Sequence, residues 1–288
     1  MASKIKSRLS DRVHVPQPVA SYWQSSRAAR YSVLFALPLL VAYEALAAFL
    51  SNGDAASIRN GADVVFRELV LTIAGRTYAP IVFGVTVIGA SVWFVIRDMR
   101  SSRTPMHAWI FLVMFAESLI LAAGFGGVIG SITSHLLGVV GPRSAADATV
   151  GIWHASDRMR LIVAHMPLSA LLPGSGLDRL PGSTRVMLAL GAGIYEELLF
   201  RVLLVSAVAF VARRVFRWGN TTATICAVVT SALIFSAFHY VGPYGDQLHL
   251  ESFIFRFIGG LAFSILYVAR GLGITAWTHT LYDLLVLA

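Results

Sequence analysis

Long apolar stretches separated by short polar turns set the pattern of this chain. Seven of them, at 31–51, 80–97, 108–130, 184–212, 221–241, 250–269 and 273–288, are long and apolar enough to be considered as membrane spans, since about 20 residues of helix cross the hydrocarbon core. The expected architecture is therefore all-α: a polytopic membrane protein of about seven transmembrane helices. The fourth stretch is longer than a span needs, so it tilts or projects from the bilayer, and the seventh is short. Two further apolar stretches, Val64 to Ala74 and Leu161 to Leu172, suit interfacial or re-entrant pieces better than spans.

Composition agrees with the pattern. Mean hydropathy is +0.72, and 57% of the 288 residues are hydrophobic while 13% are charged, against about 25% charged in an average soluble domain. The single cysteine, Cys226, lies in an apolar run, which excludes an intramolecular disulfide or a Cys-based zinc cluster and points to a packing role. The formal charge of +8 is concentrated in a few places. Before Tyr31 the chain has Lys4, Lys6, Arg8, Arg12, Arg27 and Arg30 against Asp11 alone; Arg97, Arg100 and Arg103 mark the second turn, and Arg213, Arg214 and Arg217 the fourth. By the positive-inside rule these face the cytoplasm, which puts the amino terminus inside and the carboxyl terminus outside; the expected location is the plasma membrane. The basic balance is then a topology signal, and no motif supports a nucleic-acid partner.

The run from Tyr31 starts after a 30-residue tail and is longer than a signal-peptide core, so it reads as an anchor that stays. With no internal repeat, low-complexity block or linker, the expected organisation is a basic cytoplasmic tail, 1–30, and a single membrane domain, 31–288. The connection 142–183, with Pro142, Pro167, Pro173 and Pro181, reads as an irregular lid or rim.

Against this apolar background Glu196-Glu197-Leu198-Leu199-Phe200-Arg201 stands out. One charged group at a bilayer centre costs roughly 2.5–3.5 kcal/mol on insertion scales, so three within six residues call for pairing, a wet cavity or chemistry. Glu197 and Arg201, four apart, share a helix face in the favourable order. Glu196, turned by about 100° on an α-helix, projects elsewhere and needs another partner. The fifth stretch has Phe235 and His239 at i, i+4, and the seventh has His279 and Asp283 at the same spacing. Singly, each of these has a structural reading: a helix-gluing ion pair, a hydrogen-bonded histidine, a carboxylate that orients it. Together they exceed what packing asks for. Glu44 and Glu117, in the first and third stretches, read as helix-packing groups.

Glu-Glu-x-x-x-Arg, Phe-x-x-x-His and His-x-x-x-Asn/Asp, in this order on successive membrane helices, resemble the CAAX-protease and bacteriocin-processing (CPBP, or Abi) family of intramembrane proteases. The resemblance covers residues 184–288. It implies a peptidase that hydrolyses a peptide bond of a membrane-associated substrate in the lipid bilayer. Glu196 and His239 would activate water, His279 and Asp283 would stabilise the oxyanion or hold the water, and Glu197, Arg201 and Phe235 would support them. The prenyl-protein branch usually ends its last motif in Asn; an ionised Asp283 accepts but cannot donate a hydrogen bond, so orienting His279 suits it better than donating to an oxyanion.

No cofactor is expected, although Glu196, His239, His279 and Asp283 also form a plausible zinc ligand set. No His-Glu-x-x-His occurs in the sequence. A membrane transporter or proton relay, using the same buried Glu, His and Asp groups, is the alternative from another class. Depth sets a condition on either reading. Spans starting near Thr221 and Gly273 would put His239 and His279 at opposite sides of the bilayer, unless the glycines at 259, 260, 271 and 273 break the last helices.

Overall fold

A computed structural model of the chain describes residues 17–51, 58–101, 106–137, 180–242 and 245–287. Among these residues the regular structure is entirely helical: α1 (Gln17–Ser26), α2 (Ala29–Leu50), α3 (Gly61–Ser101), α4 (Ala108–Leu136), α5 (Gly182–Gly191), a π-helix (Ala192–Val205), α6 (Ser206–Arg214), α7 (Asn220–Phe238), α8 (Leu250–Arg270) and α9 (Leu272–Leu287). Among the described residues five stretches are long and apolar enough to cross a membrane: α2, the Ile81–Ser101 part of α3, α4, α7 and α8. The all-α polytopic architecture stands, while the count of seven does not follow. The expected fourth span is α5, the π-helix and α6 laid end to end, with its charges in the middle. The expected seventh is α9, whose 16 residues reach about 24 Å at the α-helical rise, less than the hydrocarbon thickness. The tail before residue 17, most of the proline-bearing 142–183 connection and the whole of 161–172 lie outside the described residues.

The 64–74 stretch is an ordinary helical arm, the first part of α3, which breaks at Gly75 (φ 72°, ψ 165°) before the membrane-crossing part begins. The arm carries Asp63 and Arg67 toward α2. There Arg67 Nη2 reaches both Glu44 oxygens, at 2.7 and 2.9 Å, and Tyr195 Oη donates to Glu44 Oε1 at 2.5 Å. Glu117 on α4 accepts two bonds from Arg270 at 2.6 Å each, and another from the Tyr22 hydroxyl. Both acids therefore tie helices together, as their positions suggested.

The short helix α9 is the central element of the packing. Ile274 and Ala276 are fully buried against residues of α2, α4 and the π-helix, among them Tyr31, Phe35, Met114 and Tyr195. Polar groups lock it in place: Gly273 N donates to Ser32 Oγ at 2.7 Å and Trp277 Nε1 to the Phe35 carbonyl at 2.6 Å. Gly271, at φ 81°, is the only residue between α8 and α9; this left-handed backbone, which glycine adopts without a Cβ penalty, folds the two helices into a hairpin. Phe263 and His279, equally far from Gly271 along the chain, consequently stack with ring centroids 4.3 Å apart. His239 and His279 nonetheless come close in depth, since the Phe235 ring lies 4.8 Å from one imidazole and 6.3 Å from the other.

The π-helix approaches α9 closely at Gly193. A Cβ there would lie 1.8 Å from Thr280 Oγ1 and 2.7 Å from the Ala276 carbonyl, so no side chain fits without separating the helices. Gly193→Ala is expected to destabilise the protein by about 1–3 kcal/mol, the range for overpacking a tight interior. Thermal unfolding in detergent measures this, and an unchanged midpoint would contradict the close approach.

Candidate active site

The Glu196-Glu197 motif lies in the middle of the π-helix. Its i→i+5 bonding widens the turn relative to an α-helix, so successive side chains are rotated by less than the α-helical angle. Both carboxylates are buried, with Glu196 7% and Glu197 0% exposed, and they meet different neighbours, Glu196 the Asn60 ahead of α3 and Glu197 Arg201 and His279. Neighbouring helices hold this register from outside: Ser231 Oγ on α7 donates to the Phe200 carbonyl at 2.7 Å, and Gly193 admits α9.

Arg201 is fully buried, its Nε 3.2 Å from Glu197 Oε2. That distance makes an ion pair, although the N–H is poorly aligned, and among the described residues none of the guanidinium nitrogens has a hydrogen-bond partner. Aromatic faces complete its surroundings: Cζ lies 4.3 Å from the Phe235 ring centre and 5.5 Å from that of Phe263, geometry in which ring quadrupoles attract the cation. Glu197 does more than pair with Arg201, because its Oε1 lies 2.7 Å from His279 Nδ1. One carboxylate thus bridges the π-helix and α9.

His279 Nε2 faces Asp283 Oδ2 at 3.7 Å. The contact that fixes the His279 ring is therefore the shorter one, from Glu197; Asp283 is the more distant and more exposed partner. With Nδ1–H donated to Glu197, an attractive Nε2 to Asp283 contact requires a proton on Nε2 or on the carboxyl group, so the pair shares one.

His239 closes the C-terminal end of α7. Its Nδ1 lies 2.9 Å from the Phe235 carbonyl, and a carbonyl only accepts, so Nδ1 carries the proton and Nε2 presents its lone pair. Phe235 lies against both imidazoles, at 4.8 Å from His239 and 6.3 Å from His279 between ring centroids. The chain after His239 is tied back: Asp246 N donates to the His239 carbonyl at 2.9 Å, and the Asp246 carboxylate pairs with Arg256 of α8.

Glu196 lies in the electrostatic field of both His239 and His279, yet its direct hydrogen bond comes from elsewhere. Asn60 Nδ2, just ahead of α3, donates to Glu196 Oε1 at 2.9 Å. The other oxygen, Oε2, is buried with no hydrogen-bond partner among the described residues. Sequence reasoning missed Asn60, as it missed Asp246 and Arg256. An Asn immediately before an apolar run, with Asp63 in the following turn, is a helix-start signal, and it says nothing about a contact with Glu196.

As a zinc site the cluster fits poorly. Both ring nitrogens of His279 are directed at carboxylates and Glu196 Oε1 is taken by an amide; among the described residues no three His, Cys, Asp or Glu side chains converge on one point.

Fold and site define a multi-pass helical membrane protein with a buried Glu, Arg and His cluster on its late helices. Residues 181–285, from the start of α5 almost to the end of α9, match the family model described as type II CAAX prenyl endopeptidase Rce1-like, and this part of the chain is similar to that family. No curated protein and no solved structure matches the chain significantly.

Glu197→Gln removes the charge that faces Arg201 and leaves a buried cation without its carboxylate. We expect a loss of about 3–5 kcal/mol of stability, the range for breaking one side of a buried pair, read as a lower unfolding midpoint in detergent. Unchanged stability would show that the aromatic rings alone suffice to hold Arg201.

Proposed function

We propose that this protein is an intramembrane endopeptidase that hydrolyses a peptide bond of a membrane-associated substrate by glutamate- and histidine-activated water. The carrying observation is the state of Glu196: a buried carboxylate with one oxygen held by an amide and the other unpartnered, beside an imidazole whose Nε2 is an acceptor. A water molecule held between Glu196 Oε2 and His239 would give one proton to the carboxylate as its oxygen attacks the scissile carbonyl carbon. Protonated His279, its ring held between Glu197 and Asp283, would stabilise the oxyanion of the tetrahedral intermediate through its charge. The proton on Glu196, passed directly or through His239, would go to the leaving amine as the C–N bond breaks. Water's hydroxyl then ends on the new carboxyl group and its proton on the new amine.

The matched family suggests a prenylated CAAX peptide as first substrate. A quenched-fluorescence farnesylated CAAX peptide, added to the protein in lipid vesicles, tests the reading. Cleavage should disappear in Glu196→Gln and His239→Ala while both variants stay folded and monodisperse, and it should survive exhaustive chelation. Retained cleavage in either variant would remove the assigned chemistry, and chelator-sensitive activity restored by zinc would replace it with a metal mechanism.

We further propose that the protein lies in the plasma membrane, with its amino terminus in the cytoplasm on the Lys/Arg bias of the tail and of the turns at Arg97–Arg103 and Arg213–Arg217. In a Cys226→Ser background, cysteines placed at Ser102 and Asn220 should resist an impermeant thiol reagent applied to intact cells and react once the cells are opened. Labelling in intact cells would invert the topology.

A further inference from the structure

We infer that Asn60 is a positioning residue for Glu196: its side-chain amide, oriented by the start of α3, fixes one oxygen of the carboxylate and leaves Oε2 as the one that meets water. The inference rests on the proposed role of Glu196 as base, and it brings into the site a residue far outside the 181–285 stretch that matches the family.

The orientation of the amide is determined by its surroundings. Ala62 N donates to Asn60 Oδ1 at 2.9 Å, which makes Asn60 the cap of α3 and satisfies one of the backbone N–H groups left open at a helix start. A flipped amide would set its NH₂ against the Ala62 N–H and its oxygen against the Glu196 carboxylate, donor on donor and acceptor on acceptor. The group pointed at Glu196 is therefore a donor. Asn60 itself is only 8% exposed, and its backbone is held as well: its N–H donates to Tyr43 Oη at 3.2 Å, and that hydroxyl donates to Asp63 Oδ2 at 2.9 Å. Asp63, 0% exposed, is clamped by Arg67 Nε at 2.6 Å and Arg59 Nη1 at 3.0 Å. The donor thus stands on a frame built by α2 and α3.

A base attached to a wide helical turn needs such a frame. A carboxylate free to rotate about its terminal torsion offers either oxygen to water, and misplacement by about 1 Å lowers rates by about 100-fold. With Oε1 bonded, that torsion is fixed and the proton-accepting lone pairs of Oε2 keep one direction.

Two substitutions separate this role from capping. Asn60→Ser and Asn60→Asp both keep a cap oxygen for Ala62 N–H, and both remove the donor to Glu196; Asp also sets a second carboxylate against it. With the farnesylated CAAX peptide, kcat is expected to fall about 10- to 100-fold in the Ser variant, as for residues that orient a reacting group, and further in the Asp variant. KM should stay within about twofold, because Asn60 does not touch the substrate, and the unfolding midpoint of the Ser variant should stay near the wild-type value, while the Asp variant, with two buried carboxylates in contact, should unfold earlier. Wild-type kcat in both variants alongside an inactive Glu196→Gln would overturn the inference and leave the proposed function standing, whereas an active Glu196→Gln would overturn that function. A second measurement needs no substrate. The infrared carboxylate band that Glu196→Gln removes should shift in Asn60→Ser; an unmoved band would overturn the inference whatever the cleavage result.

Discussion

The structure depends on one buried carboxylate. Glu197, fully enclosed, meets Arg201 on its own helix at 3.2 Å and His279 on α9 at 2.7 Å. Among the described residues neither partner has another carboxylate as near: Arg201 is otherwise walled by Phe235 and Phe263, and His279 has Asp283 only at 3.7 Å. In an apolar interior a charge left alone is far more expensive than the pair is favourable. Much of the surrounding construction serves to let this bridge close. The missing side chain at Gly193 lets α9 reach the π-helix, and the turn at Gly271 brings His279 back along α8 to the level of Phe263.

Two adjacent glutamates thereby acquire different chemistry. Glu197 receives two partners, the Arg201 guanidinium and the His279 ring, and is committed to them. Glu196 receives one neutral amide, and its second oxygen has no partner among the described residues. Both are buried, so the divergence arises from partners rather than from burial. Wide turns of this kind occur at functional sites in general, and here the wide turn spans the whole motif.

What could be read in advance follows the range of the interactions. The Glu197 to Arg201, Phe235 to His239 and His279 to Asp283 relations are local, each a spacing of four on a helix, and spacing is what a sequence displays directly. The helical class and the main spans were legible because hydropathy integrates over many residues. The π register was not, since the run from Ala192 to Val205 is as apolar as the α-helices around it and the wider turn is imposed by α7 and α9. Nor was the Asn60 contact with Glu196, which joins residues 136 apart in sequence. The count of seven is left unconfirmed for a related reason: among the described residues the 184–212 stretch is three consecutive helical elements with charges in the middle, and α9 is short and packed against protein.

The family match begins at residue 181, yet the neighbourhood of Glu196 extends into α2 and α3. Tyr195, next to Glu196, gives its hydroxyl to Glu44 of α2, and Glu44 is held by Arg67 of α3. The break at Gly75 makes this geometry compatible with a membrane-crossing helix. The part beyond it, Ile81–Ser101, is largely exposed on its apolar surface, as lipid contact demands, while the arm before it carries Asp63 and Arg67, which would be costly there. An unbroken helix would extend in the direction of its lipid-facing half. Separating the two lets the arm follow the needs of a polar site and the remainder those of the bilayer, so the frame around Glu196 and the anchoring of α3 meet conflicting solvent requirements in one helix.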